Sequence, residues 1–350
     1  MTEADRTNRM APLSGTAAFG TDPTASPIAV GPELVVPENV IRSSEMAPGA
    51  GNVPEGPEGG EAQANGGFGR LMLRAFLEHK LAVVSLALLI LIVLFCWVGP
   101  LIYHTNQTNQ QQALFNPLNG PPGTSGHPLG TTQDGWDELG RLMFGGQASL
   151  TVGLLSALIA TVMGVVYGAV AGFVGGWFDA AMMRLVDIVL SIPGLFLLIT
   201  LVTIFRASES LDILVIAGIS WLVPSRLVRG ETLSLRTREY VQAVRAMGGG
   251  APRIIGRHII PNAVGTIVVF ATLQVATSIL ILAALGFLGF GIPAPNTDWG
   301  SMVSNAISAM GNGWWWEFFP AGIMIILVVI SFNFIGDALR DALEVRTQRR

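Results

Sequence analysis

Catalysis and metal binding draw on a short set of side chains, and this chain carries few of them in useful spacing. His79, His104, His127 and His258 are its four histidines; they stand far apart, and no His-x-x-x-His spacing occurs. Cys96 is the single cysteine and lies in an apolar run, so neither a disulfide framework nor a zinc site is expected. A phosphate-binding loop needs glycines and a lysine before Ser or Thr, whereas the only lysine, Lys80, precedes Leu81. No cofactor, metal or catalytic cluster is therefore expected, which argues against a membrane enzyme. Two places still concentrate chemistry. Asp187 follows Arg184 by three residues, as a local ion pair or a relay at a membrane boundary. The stretch "REYVQAVRAMGGGAPRIIGRHIIPN", Arg238–Asn262, holds four arginines, one glutamate, three consecutive glycines and two prolines in a chain only 13% charged.

The elements that must position this stretch are apolar. Hydrophobic residues make up 51% of the 350, more than a soluble core of this size requires, so the bilayer is the expected solvent. About 20 apolar residues cross a hydrocarbon core. Six such runs occur, at about 81–103, 149–174, 185–205, 213–228, 263–285 and 320–335, with Pro193 and Pro224 inside the third and fourth. Prolines there could break helices to line a path or kink them for packing. Basic loops stay cytoplasmic. With both termini inside, the cytoplasmic segments after residue 66 hold fifteen bases, while the outer loops hold Arg141 and Arg206 against seven acids. Trp314, Trp315 and Trp316 are assigned to an outer aromatic belt. The net charge of −4 is unevenly placed, with nine acids against three arginines in residues 1–66 and fifteen acids against seventeen bases in the remaining 284. No nucleic-acid partner is expected.

The expected organisation is a disordered cytoplasmic tail over 1–66, an arm and first helix over 67–103, and an outer loop over 104–148. Spans two to six fill 149–337, and a C-terminal cytoplasmic tail covers 338–350. The tail assignment rests on eight prolines, nine glycines and one aromatic residue in 66 positions, too little apolar area to offset the entropy of ordering. In the second span Ala160, Gly164, Gly168 and Gly172 recur every fourth residue, a stripe that lets another helix approach closely.

The arginine-rich stretch resolves into two short helices. Tyr240, Val241, Val244 and Met247 share a helical face, with Glu239, Gln242 and Arg245 elsewhere. Gly248, Gly249 and Gly250 stop that helix, and Pro252 opens a second one carrying Ile254, Ile255, His258 and Ile259, which Pro261 is expected to end. Alone, this is either a protein-docking element or a loop whose arginines satisfy the positive-inside rule.

The stretch resembles the EAA loop of ATP-binding cassette importer permeases: a Glu-Ala-Ala triplet, a glycine six residues after its start, and Leu-Pro about twelve residues on. Here these are Gln242-Ala243-Val244, Gly248 and Ile260-Pro261. "HPLGTTQDGWDELGRLMFGGQASLTVGLLSA" from His127, "DWGSMVSNA" from Asp298 and "FFPAGIMIILVVISFNFIGDALRDALEVR" from Phe318 are similar to dipeptide and oligopeptide permeases of the C-subunit type, with Thr132 and Trp136 where that group usually has Asp and Arg. The resemblance covers most of 67–345. It implies an all-α polytopic type I importer permease fold with six transmembrane helices and a cytoplasmic coupling loop between spans four and five. It further implies a bacterial plasma-membrane permease for di- or oligopeptides, or for nickel or another small solute. The implied partners are a second permease subunit, two ATP-binding cassette ATPase subunits, an extracytoplasmic solute-binding protein and the lipid bilayer. Glu239, Tyr240, Gln242, Ala243, Val244, Arg245, Gly248, Arg253, Ile260 and Pro261 are the coupling-loop residues under this resemblance. A self-contained channel or secondary transporter is the rival class, and would call for an unpaired mid-membrane charge or a pair of broken helices.

Overall fold

The computed structural model describes residues 76–205 and 208–348, and the side chains up to 343. The proposed tail, 1–66, lies outside the described residues. Among them every regular element is helical. In chain order these are α1 (Lys80–Ile102), α2 (Gln110–Ala113), α3 (Glu138–Val174), α4 (Gly176–Leu190), α5 (Gly194–Phe205), α6 (Glu209–Ser220), α7 (Leu222–Leu235), α8 (Glu239–Ala246), α9 (Ala251–Ile254), α10 (Ile260–Phe287), α11 (Trp299–Asn305), α12 (Ile307–Gly311) and α13 (Trp315–Gln348). A π-helical turn, Ile255–Ile259, joins α9 to α10.

Among the described residues four helices are long and apolar enough to cross a membrane, or up to six if the bent pairs α4–α5 and α6–α7 each count as one. Several ends differ from expectation. Helix α3 starts eleven residues before Ser149 because Asp137 caps it, its side chain accepting from the Gly140 N–H at 2.6 Å. At 37 residues it is about 55 Å long, well beyond a hydrocarbon core. The third run does not form one helix: α4 and α5 meet at 79° where Pro193 cannot donate a hydrogen bond. The fourth bends by 41° at Trp221, three residues before Pro224, because the proline leaves the Ser220 carbonyl without its helical donor. Pro320 lies inside α13 rather than at its start.

Helix α3 is the axis of the packing, and its glycines explain why. A Cβ on Gly164 would stand 2.7 Å from the Pro224 ring, one on Gly172 2.8 Å from Thr232 Cβ, and one on Gly168 would strike the Ser225 carbonyl. The stripe thus brings the backbones of α3 and α7 together. Beside the α3–α7 seam, Arg229 donates to both oxygens of Asp179 at 2.5 and 2.7 Å, which ties α7 to α4. Asp187 pairs with Arg226 at 2.5 Å and not with Arg184; the bend after α4 lets α7 reach it. Farther along α3, Ile92, Cys96, Leu142, Ile279 and Val328 share one buried cluster with the fully buried Trp299. The Trp299 indole N–H donates to the Leu142 carbonyl at 3.0 Å, and its backbone N–H to Ser149 Oγ at 3.1 Å. Next to it, Asp298 caps α11 and accepts from the Ser301 N–H, the Ser301 hydroxyl and the Ile292 N–H. Burial pushes its carboxyl above the ordinary range, and these donors oppose the rise.

The aromatic belt needs correction. Trp315 is 54% exposed, but Trp316 is buried, its ring N–H directed at the Thr131 carbonyl. The outer surface of α1 has the character of a lipid-facing helix: Leu81, Leu91 and Leu101 are 63–71% exposed while Ala82, Ile92 and Cys96 are buried.

Candidate coupling interface

Helix α8 begins with Glu239 in its first turn and ends in a Schellman motif: the Gly248 N–H donates to the Arg245 carbonyl at 3.0 Å and the Gly249 N–H to the Val244 carbonyl at 2.9 Å. The motif requires a left-handed residue, and Gly248 supplies it at φ +82° with open space around its Cα. Gly249 is glycine for another reason, because a Cβ there would stand 2.6 Å from the Val244 side chain. The turn reverses the chain into α9, where Pro252 occupies the first turn.

The apolar face divides in a way the sequence did not indicate. Val241, fully buried, and Val244 turn inward against Phe173, Leu235, Ile254 and Ile259. Tyr240 and Met247, expected on the same face, are 41% and 79% exposed. Glu239, Gln242, Ala243, Arg245, Gly248, Arg253 and Pro261 are also exposed, and Ile260 is half-buried. Arg245 stays at the surface with its guanidinium 5.0 Å above the Phe173 ring, so it braces the fold as well as rimming the surface. Of the expected candidates, Glu239, Tyr240, Gln242, Ala243, Arg245 and Gly248 are exposed on α8 and its turn, Arg253 is exposed on α9 and Pro261 in the first turn of α10, whereas Val244 packs inward and Ile260 is half-buried.

Pro261 does not end the second helix. It sits in the first turn of α10, and the hydrogen bonding upstream widens to i→i+5, with the Ile260 N–H donating to the Ile255 carbonyl. This π turn absorbs the residue whose missing N–H would break an α-helix. It also explains why both Ile254 and Ile259 are buried, since five residues of α-helix would put them about 140° apart.

Phe173 is the residue that sequence reasoning missed. It stands in the last turn of α3, so the patch on α8 rests on the same helix that carries the glycine stripe. The Arg236 guanidinium closes the end of α3 by donating to the Gly172 carbonyl at 2.9 Å. The signal available was an aromatic residue following the small-residue stripe, just before Gly175 and Gly176.

With this geometry in view, comparison with known proteins is decisive. Residues 164–349 match the family described as binding-protein-dependent transport system inner membrane component. Residues 67–122 match the N-terminal TM domain of oligopeptide transport permease C. The oligopeptide transport system permease protein OppC of Escherichia coli K12 is 43% identical over 271 residues, 77% of this chain and 89% of that protein. The chain belongs to the binding-protein-dependent inner membrane transport components. The OppC protein of Mycobacterium tuberculosis H37Rv is 38% identical over 278 residues, covering 78% of this chain and 93% of its own length. A chain of the MetNI methionine ABC transporter, solved in inward-facing conformations, superposes with a TM-score of 0.48 at 19% identity, over 57% of this chain and 94% of that one.

Proposed function

We propose that this chain is one of two transmembrane subunits of an ATP-driven oligopeptide importer in a bacterial plasma membrane. In this reading the polypeptide crosses six times, with α4–α5 and α6–α7 as the third and fourth spans, and both termini are cytoplasmic. A second permease subunit completes the path, a solute-binding protein delivers peptide from outside, and two ATPase subunits hydrolyse ATP. The observation that carries the reading is 43% identity to an oligopeptide permease protein across 89% of that protein's length.

The α8 patch is the proposed ATPase contact. Tyr240, Gln242 and Ala243 are exposed on a helix only eight residues long, and Met247 and Gly248 on the fixed turn that closes it. Val241 and Val244 anchor it to Phe173 at the end of α3. A push on α8 is thereby delivered to α3 and, through the glycine seam, to α7. ATP would bias inward and outward states only by its different affinity for them, the chain moving as packed rigid elements. Arg245, Arg253 and Arg257 hold this surface on the cytoplasmic side.

Gly248→Val tests the reading because it forces a β-branched residue to φ +82° without changing charge. The turn should distort and displace the α8 patch, while membrane insertion is retained. In reconstituted complexes the expected result is normal assembly in the membrane with ATPase binding weakened, or hydrolysis uncoupled from peptide uptake. Unaltered coupling would return the stretch to the status of a basic loop.

A further inference from the structure

We propose that the cavity between Glu138 and Glu317 is a receptor for a primary ammonium group. It lies where the start of α3, the 132–136 segment, the α11–α12 junction and the start of α13 converge. Glu138 is 1% exposed and Glu317 3% exposed. Each has a buried Oε1 with no hydrogen-bond partner, and both residues line the same cavity of about 30 Å³. Of the remaining carboxylate oxygens, Glu317 Oε2 accepts a long bond, 3.3 Å, from the Gln133 N–H.

The charges on the walls do not cancel. Asp134, Glu138 and Glu317 stand against Arg141, three acids to one base. Arg141 is engaged elsewhere: its guanidinium lies 4.4 Å over the Trp136 ring, and one N–H donates to the Pro295 carbonyl at 2.5 Å. Neither glutamate forms an ion pair with it. Two buried carboxylates that each keep an oxygen without a donor are costly, so the site recruits a cation or holds protons.

Donor chemistry selects the cation. About 30 Å³ is enough for a small polar head group. An ammonium head has that size and offers three N–H donors with no acceptor, matched to the two orphan oxygens and a neutral wall oxygen. A guanidinium is broader and planar, and a quaternary ammonium has no N–H to give. Calcium takes six to eight oxygens, and the described residues contain no group of three His, Cys, Asp or Glu able to hold a metal. The ammonium could come from the amino terminus of a solute or from a lysine of a docked protein. Only this choice of source rests on the importer reading; the site itself does not.

The test uses the purified full chain in detergent, titrated with methylammonium chloride and, at equal ionic strength, with tetramethylammonium chloride. Unfolding temperature and tryptophan fluorescence (Trp136 lines the site) are the readouts. Methylammonium should stabilise the protein saturably and tetramethylammonium should not. Glu138→Gln and Glu317→Gln should each weaken the methylammonium response at least tenfold, while Glu209→Gln leaves it intact. Identical responses to both salts in the folded wild-type protein would overturn the proposal, whatever the variants do. So would an undiminished response in folded Glu317→Gln, which would leave the carboxylates simply sharing protons. In the assembled complex, trialanine against N-acetyl-trialanine, and native against lysine-acetylated binding protein, as competitors of methylammonium identify the source. Methylammonium binding without competition from either keeps the site and removes its tie to import.

Discussion

At the scale of single residues, the glycines of α3 show how an ordinary composition hides a specific requirement. Gly168 faces the Ser225 carbonyl and the Arg229 amide of α7, both backbone groups that cannot rotate away. Gly218, on α6, would meet nothing within 4 Å if it carried a Cβ. Overpacking a tight interface costs about 1–3 kcal/mol, and more where backbone must move. Removing glycine from an open helical position instead gains up to ~1 kcal/mol in propensity. Gly168→Val is therefore expected to lower the unfolding temperature of the detergent-solubilised chain by several degrees, and Gly218→Ala to leave it unchanged or raise it. Equal effects would mean that the seam is looser than its geometry. The four-residue recurrence made this stripe legible in the sequence, because close helix approach has a fixed period. The buried Glu138 and Glu317 were not legible: each lies at the polar edge of an apolar run, where a charge normally meets water.

At the scale of elements, the apolar runs announced the long helices, since length and hydropathy alone decide what can cross a bilayer. Their ends did not show, because caps such as Asp137 extend a helix beyond the apolar run that signals it. Breaks were legible in kind but not in place: Pro193 and Pro224 mark them, yet the second bend falls at Trp221. The π turn before α10 was hidden for a different reason. Ile254 and Ile259 share a buried face only in i→i+5 geometry, a spacing that an α-helical reading assigns to different faces. Pro261 supplies the cause, and Pro261→Ala supplies the test. Restoring the N–H lets residue 261 donate to the Arg257 carbonyl, which favours regular α-helix through 255–259 and rotates α9 relative to α10. Ile254 would then leave the Phe173 cluster. Hydrogen exchange should show the α8 amides, Glu239–Ala246, exchanging at least tenfold faster in Pro261→Ala, with the α3 amides unchanged. Unchanged α8 protection would mean that the proline accompanies the π turn without causing it.

At the scale of the whole molecule, function depends on which side of the membrane each end of the bundle faces. The α8 patch and the Glu138–Glu317 cavity lie near opposite ends of α3, a helix longer than the hydrocarbon core is thick. A coupling surface is useful only inside the cell, where ATP is available, so the cavity end must then face outward. Arginine placement supports that assignment: fifteen bases after residue 66 fall on the proposed inner side and two on the outer. Native Cys96 is fully buried, which makes single-cysteine mapping clean in a Cys96→Ser background. Phe115, 89% exposed in the 104–137 segment, and Met247, 79% exposed beside the α8 turn, are suitable probes because neither contributes to a buried cluster. An impermeant maleimide on intact cells should label Phe115→Cys and spare Met247→Cys, with both labelled after permeabilisation. Labelling of Met247→Cys alone on intact cells would invert the bundle. It would place the arginine-bearing patch where no ATPase could reach it, and the coupling role of α8 would fall with the topology.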